Sequence, residues 1–100
     1  MKPAPAPTLS VRHDPSSCRF EAEVDGLCCV VDYALYGCVM HLQHTGVPAK
    51  LQGRGIAAQL VAAALAHARA HGLRVRPLCS YVRVYLRRHP ESQSLLEAPR

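Results

Sequence analysis

The hydrophobic period of this chain changes once, and the change falls across two glycines. Up to Val47-Pro48 the apolar residues sit in strand-like runs, whereas from Ile56 onward they recur every three or four residues, as one face of a helix requires. The stretch between, Lys50-Leu51-Gln52-Gly53-Arg54-Gly55-Ile56-Ala57, must join the two. Its glycines let the backbone bend so that successive N–H groups converge. The first turn of the following helix adds unpaired N–H groups and the positive end of its dipole. Arg54 places a full positive charge inside the turn. Strand, glycine turn and helix in this order make an anion site suited to phosphate. The turn lacks the third glycine of a dinucleotide fingerprint and the Lys-Ser/Thr pair of a nucleotide P-loop.

The elements around the turn limit the fold. Residues 19–24 alternate with period two, Asp25-Gly26 is a tight hairpin turn, and residues 27–36 return as a second strand. A third strand follows over about residues 39–47. In the helix, Ile56, Leu60, Val61, Ala64, Leu65 and Ala68 form one broad apolar stripe, and Gly72 stops it. Residues 73–79 read as a short strand, and strand–helix–strand with a right-handed crossover makes two strands parallel. Ser80 is placed to cap a last helix running to about Arg88, which His89-Pro90 ends. The fold class expected is α/β in the α+β sense: a small, mostly antiparallel sheet with one βαβ unit, a long helix after the glycine loop and a C-terminal helix. Residues 16–100 make a single domain behind a flexible Pro/Ala-rich arm, residues 1–15.

Composition narrows the ligand. The formal charge is +5, yet only five aromatics are present and the basic residues do not alternate with them. This pattern favours a phosphorylated small ligand over nucleic acid. No apolar run approaches the roughly 20 residues that span a bilayer, and no signal segment opens the chain, so the expected location is cytoplasmic and no membrane partner is expected. Cys18, Cys28, Cys29, Cys38 and Cys79 have neither metal-ligand spacing nor an even disulfide framework, so they read as reduced thiols packed as small hydrophobes. His67 and His71 are one helical turn apart but lack a third ligand, which leaves surface histidines and no metal site.

Cys79 stands at a strand end beside a helix N-terminus, a setting that lowers a thiol pKa and suits a nucleophile; a packed core cysteine is the alternative. Tyr81 and Tyr85, four residues apart, can face one cleft or anchor the helix to the sheet. Period-two spacing puts His44 on the same strand face as Gly46 and His41 on the other. His44 could act as a base near neutral pH or be an ordinary exposed histidine.

The loop resembles the acyl-CoA pyrophosphate loop of the GNAT superfamily of N-acetyltransferases, Gln/Arg-x-x-Gly-x-Gly/Ala, with Lys50 in the first position and Gly53 and Gly55 as its glycines. The likeness continues through His44-Thr45-Gly46-Val47-Pro48, through Pro77-Leu78-Cys79-Ser80-Tyr81-Val82, and through Tyr85 and Arg87-Arg88-His89-Pro90-Glu91. Over about residues 18–97 the chain resembles the small, single-domain YjdJ-type branch of that superfamily. The resemblance implies acetyl-CoA or coenzyme A as ligand and transfer of an acetyl group to an amine. It also implies two splayed parallel strands with the thioester in the gap between them. Binding would fall to the strand edge Thr45, Gly46 and Val47, to Lys50, Gln52, Gly53, Arg54, Gly55, Ile56 and Ala57 of the loop, and to Ser80, Tyr81, Tyr85 and Arg88. The catalytic candidates are Cys79, Tyr85, similar to the tyrosine that protonates the departing thiolate, and His44. Glycine at 46 stands where related sequences carry a glutamate base, so a non-catalytic CoA-binding regulatory or partner module is the alternative function. Larger relatives shape the acceptor pocket with helices between their first two strands, and Asp25-Gly26 leaves no room for them. The acceptor site should therefore be open or completed by a partner, as suits a lysine of a protein.

Overall fold

The computed structural model describes residues 9–96, so most of the expected N-terminal arm lies outside the described residues. Five strands form one sheet in sequence order: β1 (Arg12–Asp14), β2 (Arg19–Val24), β3 (Leu27–Tyr36), β4 (Val39–Gly46) and β5 (Arg74–Pro77). The first four are antiparallel neighbours. β4 and β5 run parallel, joined by helix α1 (Ile56–Ala70), and helix α2 (Ser80–Arg88) follows β5. This is the expected α+β arrangement.

Local chemistry accounts for most of it. Asp25 and Gly26 both take positive φ, 52° and 76°, the conformation that matches a two-residue turn to the twist of its strands, and Val24 pairs with Leu27 beneath them. The predicted stripe of α1 is its buried face, and Leu60, Val61, Ala64 and Ala68 are completely covered. It packs on Phe20, Ala22, Cys29, Val31, Tyr33, Met40 and Leu42 of the sheet, and Val82, Leu86 and Leu95 close the same core. At about 25 cal/mol per Å2 of apolar surface, this one-sided core is the main stabilising term. The opposite sheet face carries ion-paired ladders instead, Arg12 with Glu21 and Arg19 with Asp32.

Four expectations change. Residues 12–14 are not part of an arm: they pair with residues 19–21 as β1, through a one-turn 3-10 helix at Pro15–Ser17. The first two strands are therefore joined by that turn rather than by Asp25-Gly26, and it too leaves no room for helices. The residue that caps α2 is Cys79, and Ser80 is already helical, because the extended conformation a cap requires (φ −81°, ψ 132°) falls on Cys79. Of the five thiols only Cys29 is buried, while Cys28 and Cys38 are exposed and Cys18 and Cys79 half-buried. His67 is not a plain surface residue either: its ring lies 4.0 Å from that of His71 and 4.4 Å from that of His13, which also stacks on Phe20. No described group of His, Cys, Asp or Glu side chains could hold a metal ion, and no described helix is long and apolar enough to cross a membrane.

Candidate active site

Two departures from regular sheet geometry meet at Leu42. The first is a β-bulge. Tyr33 pairs with Leu42 but Asp32 pairs with His44, so Gln43 is the extra residue of β4. Beyond it the faces exchange. Thr45 lies opposite buried Val31, on the core side, while His44 and Gly46 lie opposite Asp32 and Val30 on the open face. His41, opposite Ala34, shares that open face. The expectation that it points away from His44 fails because the bulge breaks the two-residue period.

The second departure is the parting of the parallel strands. β5 pairs with β4 only as far as Leu42 and Pro77. The N–H groups of Leu78 and Cys79 both donate to the Leu42 carbonyl, each at 3.0 Å, and the chain then turns into α2. Gln43 to Gly46 continue with no β5 partner, which opens the gap expected from the resemblance. Cys79 sits in it, with its sulfur 3.6 Å from the Thr45 hydroxyl. Burial raises the Cys79 pKa. Hydrogen bonding from the Thr45 hydroxyl and from the N–H groups of Val82, Tyr81 and Thr45 more than offsets that, so the thiol titrates below its ordinary value. The geometry of a true side-chain cap on α2 is not met, so these N–H groups act as nearby dipoles more than as full bonds.

The glycine loop lies beside the gap. Gly53 and Gly55 have φ of 82° and 77°, and a Cβ added to either would meet nothing within 4 Å. The requirement for glycine is conformational, and the space beside it is open. Leu51, 2% exposed, pins the loop into the core, and the Gln52 amide donates to the Val47 carbonyl at 3.2 Å, tying loop to strand end. No acceptor among the described residues takes the N–H groups of residues 53–58. A cleft of about 400 Å3 is lined by Thr45, Val47, Leu51, Gln52, Gly53, Gly55, Ile56, Ala57 and Tyr81. Nearly all of these were singled out in the sequence; Leu51 was not, though a lone leucine in an otherwise polar turn was a usable sign of an anchor.

The remaining candidates, Cys79 among them, lie outside the lining, Cys79 being next to it through Thr45. Gly46 and exposed His44 are on the open face, and the imidazole lies against the glycine: a Cβ at 46 would stand 3.2 Å from His44 Nε2. Lys50, Ser80 and Arg88 are exposed, and Arg54 donates to the Asp25 carboxylate at 3.0 Å, across the hairpin turn. Tyr85 is half-buried and stacked on His89 at 4.0 Å. Burial, then the charges of Glu91 and Tyr81, raises its phenol pKa; burial does the same for Tyr81, against the opposing charge of Arg88. Both phenols therefore keep their protons at neutral pH.

A sequence profile of the GCN5-related N-acetyl-transferase family matches residues 19–95, which span the hairpin, the glycine loop and α2. The chain belongs to the GCN5-related N-acetyltransferases. Among its relatives, Protein NATD1 of Xenopus tropicalis is 33% identical over 95 residues, covering 91% of this chain and 86% of that protein. Protein NATD1 of Mus musculus is 33% identical over 90 residues, covering 87% and 82%. A GCN5-like protein from Staphylococcus aureus, solved in solution by NMR, superposes with a TM-score of 0.72 at 22% identity, covering 93% of this chain and 92% of its own, a likeness of fold. Membership fits the site. A phosphorylated ligand needs unpaired N–H donors beside open space, and residues 53–58 supply them.

Proposed function

We propose that this acetyltransferase-like domain binds acetyl-CoA in the cleft and transfers its acetyl group to an amine. The observation that carries the reading is one cleft lined by the glycine loop, with its unpaired N–H groups, and by Thr45, whose hydroxyl lies 3.6 Å from the Cys79 sulfur in the gap between the parted strands. The loop N–H groups, with Arg54 and Lys50, would hold the pyrophosphate, and the edge of β4 at Thr45 to Val47 would pair with the pantetheine arm. When bound, the ligand supplies an activated acyl thioester. Cys79 as thiolate attacks the acyl carbonyl, so a bond from sulfur to carbon forms and the bond to the CoA sulfur breaks. The departing thiolate takes a proton, for which Tyr85 is the donor. The acceptor amine then attacks the acyl carbon, freeing the Cys79 thiolate, while its surplus proton passes to His44 or to water. An open sheet face suits a lysine side chain of a protein as acceptor.

Glycine at position 46 favours a second reading, a CoA-binding module without turnover. One experiment separates the two. Purified protein is incubated with acetyl-CoA and a lysine-containing peptide, then examined by native mass spectrometry, peptide mapping and product assay. Transfer requires CoA in the complex, acetyl on Cys79 and acetyl-peptide, with Cys79→Ala keeping CoA while losing product. CoA bound without acetyl on protein or peptide selects the module, and no bound CoA refutes both.

A further inference from the structure

The Thr45 hydroxyl has one partner among the described residues, the sulfur of Cys79. In a regular strand Thr45 would lie on the face opposite Leu42. The extra residue Gln43 turns it to the same face, and only there can it reach across the parted strands. Thr45 is β-branched, hence stiff about its first side-chain torsion, and its backbone is held in the β3–β4 ladder by its pairing with Val31. The Cys79 backbone is equally fixed, through its N–H bond to the Leu42 carbonyl at 3.0 Å. Two rigid supports therefore set the distance between hydroxyl and sulfur, and Thr45 also lines the cleft.

We propose that Thr45 is a positioning residue for Cys79, its hydroxyl donating to the sulfur and holding the thiolate in the gap between β4 and β5, toward the cleft. This rests on the reading of Cys79 as the acyl acceptor. When Cys79 ionises, its S–H bond breaks, the proton leaves to solvent, and the Thr45 O–H turns to donate to the negative sulfur; no other reactant is needed. A bond to an ionised acceptor is about twice as strong as one between neutral groups, so the contact favours the thiolate over the thiol. Of the influences that lower the Cys79 pKa, the Thr45 hydroxyl is the largest, ahead of the N–H groups of Val82 and Tyr81, and no charged side chain is among the leading causes. The titratable or charged groups on the flanking elements are His41 and His44 of β4, Arg74 and Arg76 of β5, and Tyr81, Arg83, Tyr85, Arg87 and Arg88 of α2.

The test is the pH profile of alkylation by iodoacetamide, mapped to peptides, with exposed Cys28 and Cys38 as references in the same chain. In the unaltered protein Cys79 should stay reactive at lower pH than either reference. In Thr45→Val, which keeps the branched shape but cannot donate, the Cys79 profile should move to higher pH and the rate at pH 7 should fall about tenfold, equivalent to about 1.4 kcal/mol. Thr45→Ser, which keeps the hydroxyl, should restore most of the rate. Circular dichroism establishes that each variant is folded, and Thr45→Ala replaces the valine variant if that one is not. An unchanged profile in a folded variant lacking the hydroxyl overturns the role of Thr45 and leaves Cys79 as acceptor. A serine variant as impaired as the valine one overturns it too, since shape and not the hydroxyl would then matter. If Cys79 already titrates with Cys28 and Cys38 in the unaltered protein, the reading of Cys79 fails and this proposal falls with it.

Discussion

Gly55→Val separates the cost of strain from the cost of a blocked ligand. Gly55 holds φ of 77° just ahead of α1, and an added Cβ would touch nothing within 4 Å. No clash therefore arises in the free protein. What remains is the left-handed conformation, which costs an L-residue about 1–2 kcal/mol and a β-branched one at least as much. For a domain of this size that is a fall in Tm of roughly 4–16 °C. The ligand adds a second effect, because the new methyl groups would occupy the open space from which a pyrophosphate meets the loop N–H groups. Loss of close approach should weaken acetyl-CoA binding at least tenfold, about 1.4 kcal/mol. Gly37→Val is the control. Gly37 has φ of 60°, equally open surroundings and a place in the β3–β4 turn, so it should show a similar fall in Tm with no change in affinity. Calorimetric titration with acetyl-CoA and a thermal melt read both quantities. If Gly55→Val binds as tightly as the unaltered protein, or if Gly37→Val weakens binding equally, the assignment of the loop as phosphate site is wrong.

Three further outcomes are expected. Leu51→Ala removes the buried anchor of the loop and should cost about 2–5 kcal/mol, read as a lower denaturation midpoint; a change under 1 kcal/mol would show that the loop is held by Gln52 alone. His13 and His67 have pKa values lowered by burial and then by the charge of His71, so the folded state binds fewer protons than the unfolded chain below about pH 6.5. Their stabilisation is complete above that pH and is lost as pH falls through this region, so Tm should drop between pH 7.5 and pH 5.5 and the drop should shrink in His67→Gln; a flat profile contradicts the linkage. If His44 is the base, His44→Ala should lower transfer by about 100-fold or more. Gly46→Glu should recover activity best when combined with His44→Ala, since the exposed imidazole stands 3.2 Å from the new Cβ and Val30 Cγ2 stands 3.3 Å from it; full recovery by Gly46→Glu alone would remove that steric argument.

How far the sequence could be read depended on the range of the interaction that fixes each feature. α1 was legible because its stripe is a local periodicity, and the β2–β3 hairpin because Asp25-Gly26 carries the positive φ values of its own turn. The glycine loop and much of the cleft lining were legible for the same reason. β1 was not: it is three residues, Arg-His-Asp, beside Pro15, with no pattern of its own, and it exists through pairing with β2. The association of His13 with His67 was equally out of reach, since packing joins residues 54 positions apart (67 − 13).

The bulge is the most consequential feature of this second kind. Nothing in Leu42-Gln43-His44-Thr45-Gly46 marks one residue as extra; the choice appears only when β3 supplies partners, with Asp32 taking His44 and Tyr33 taking Leu42. Without it, His44 would face the core and Thr45 the open side, which exchanges the candidate base with the partner of Cys79. The parallel strands part at the same residue, because the Leu42 carbonyl accepts from both Leu78 and Cys79. One carbonyl and one surplus residue thus decide which side chains meet in the gap. Conserving the site chemistry means conserving that register, so shortening β4 by deleting Gln43 should abolish the Thr45–Cys79 contact, read as loss of the early Cys79 alkylation, while leaving in place the part of the core that the sheet supplies up to Leu42.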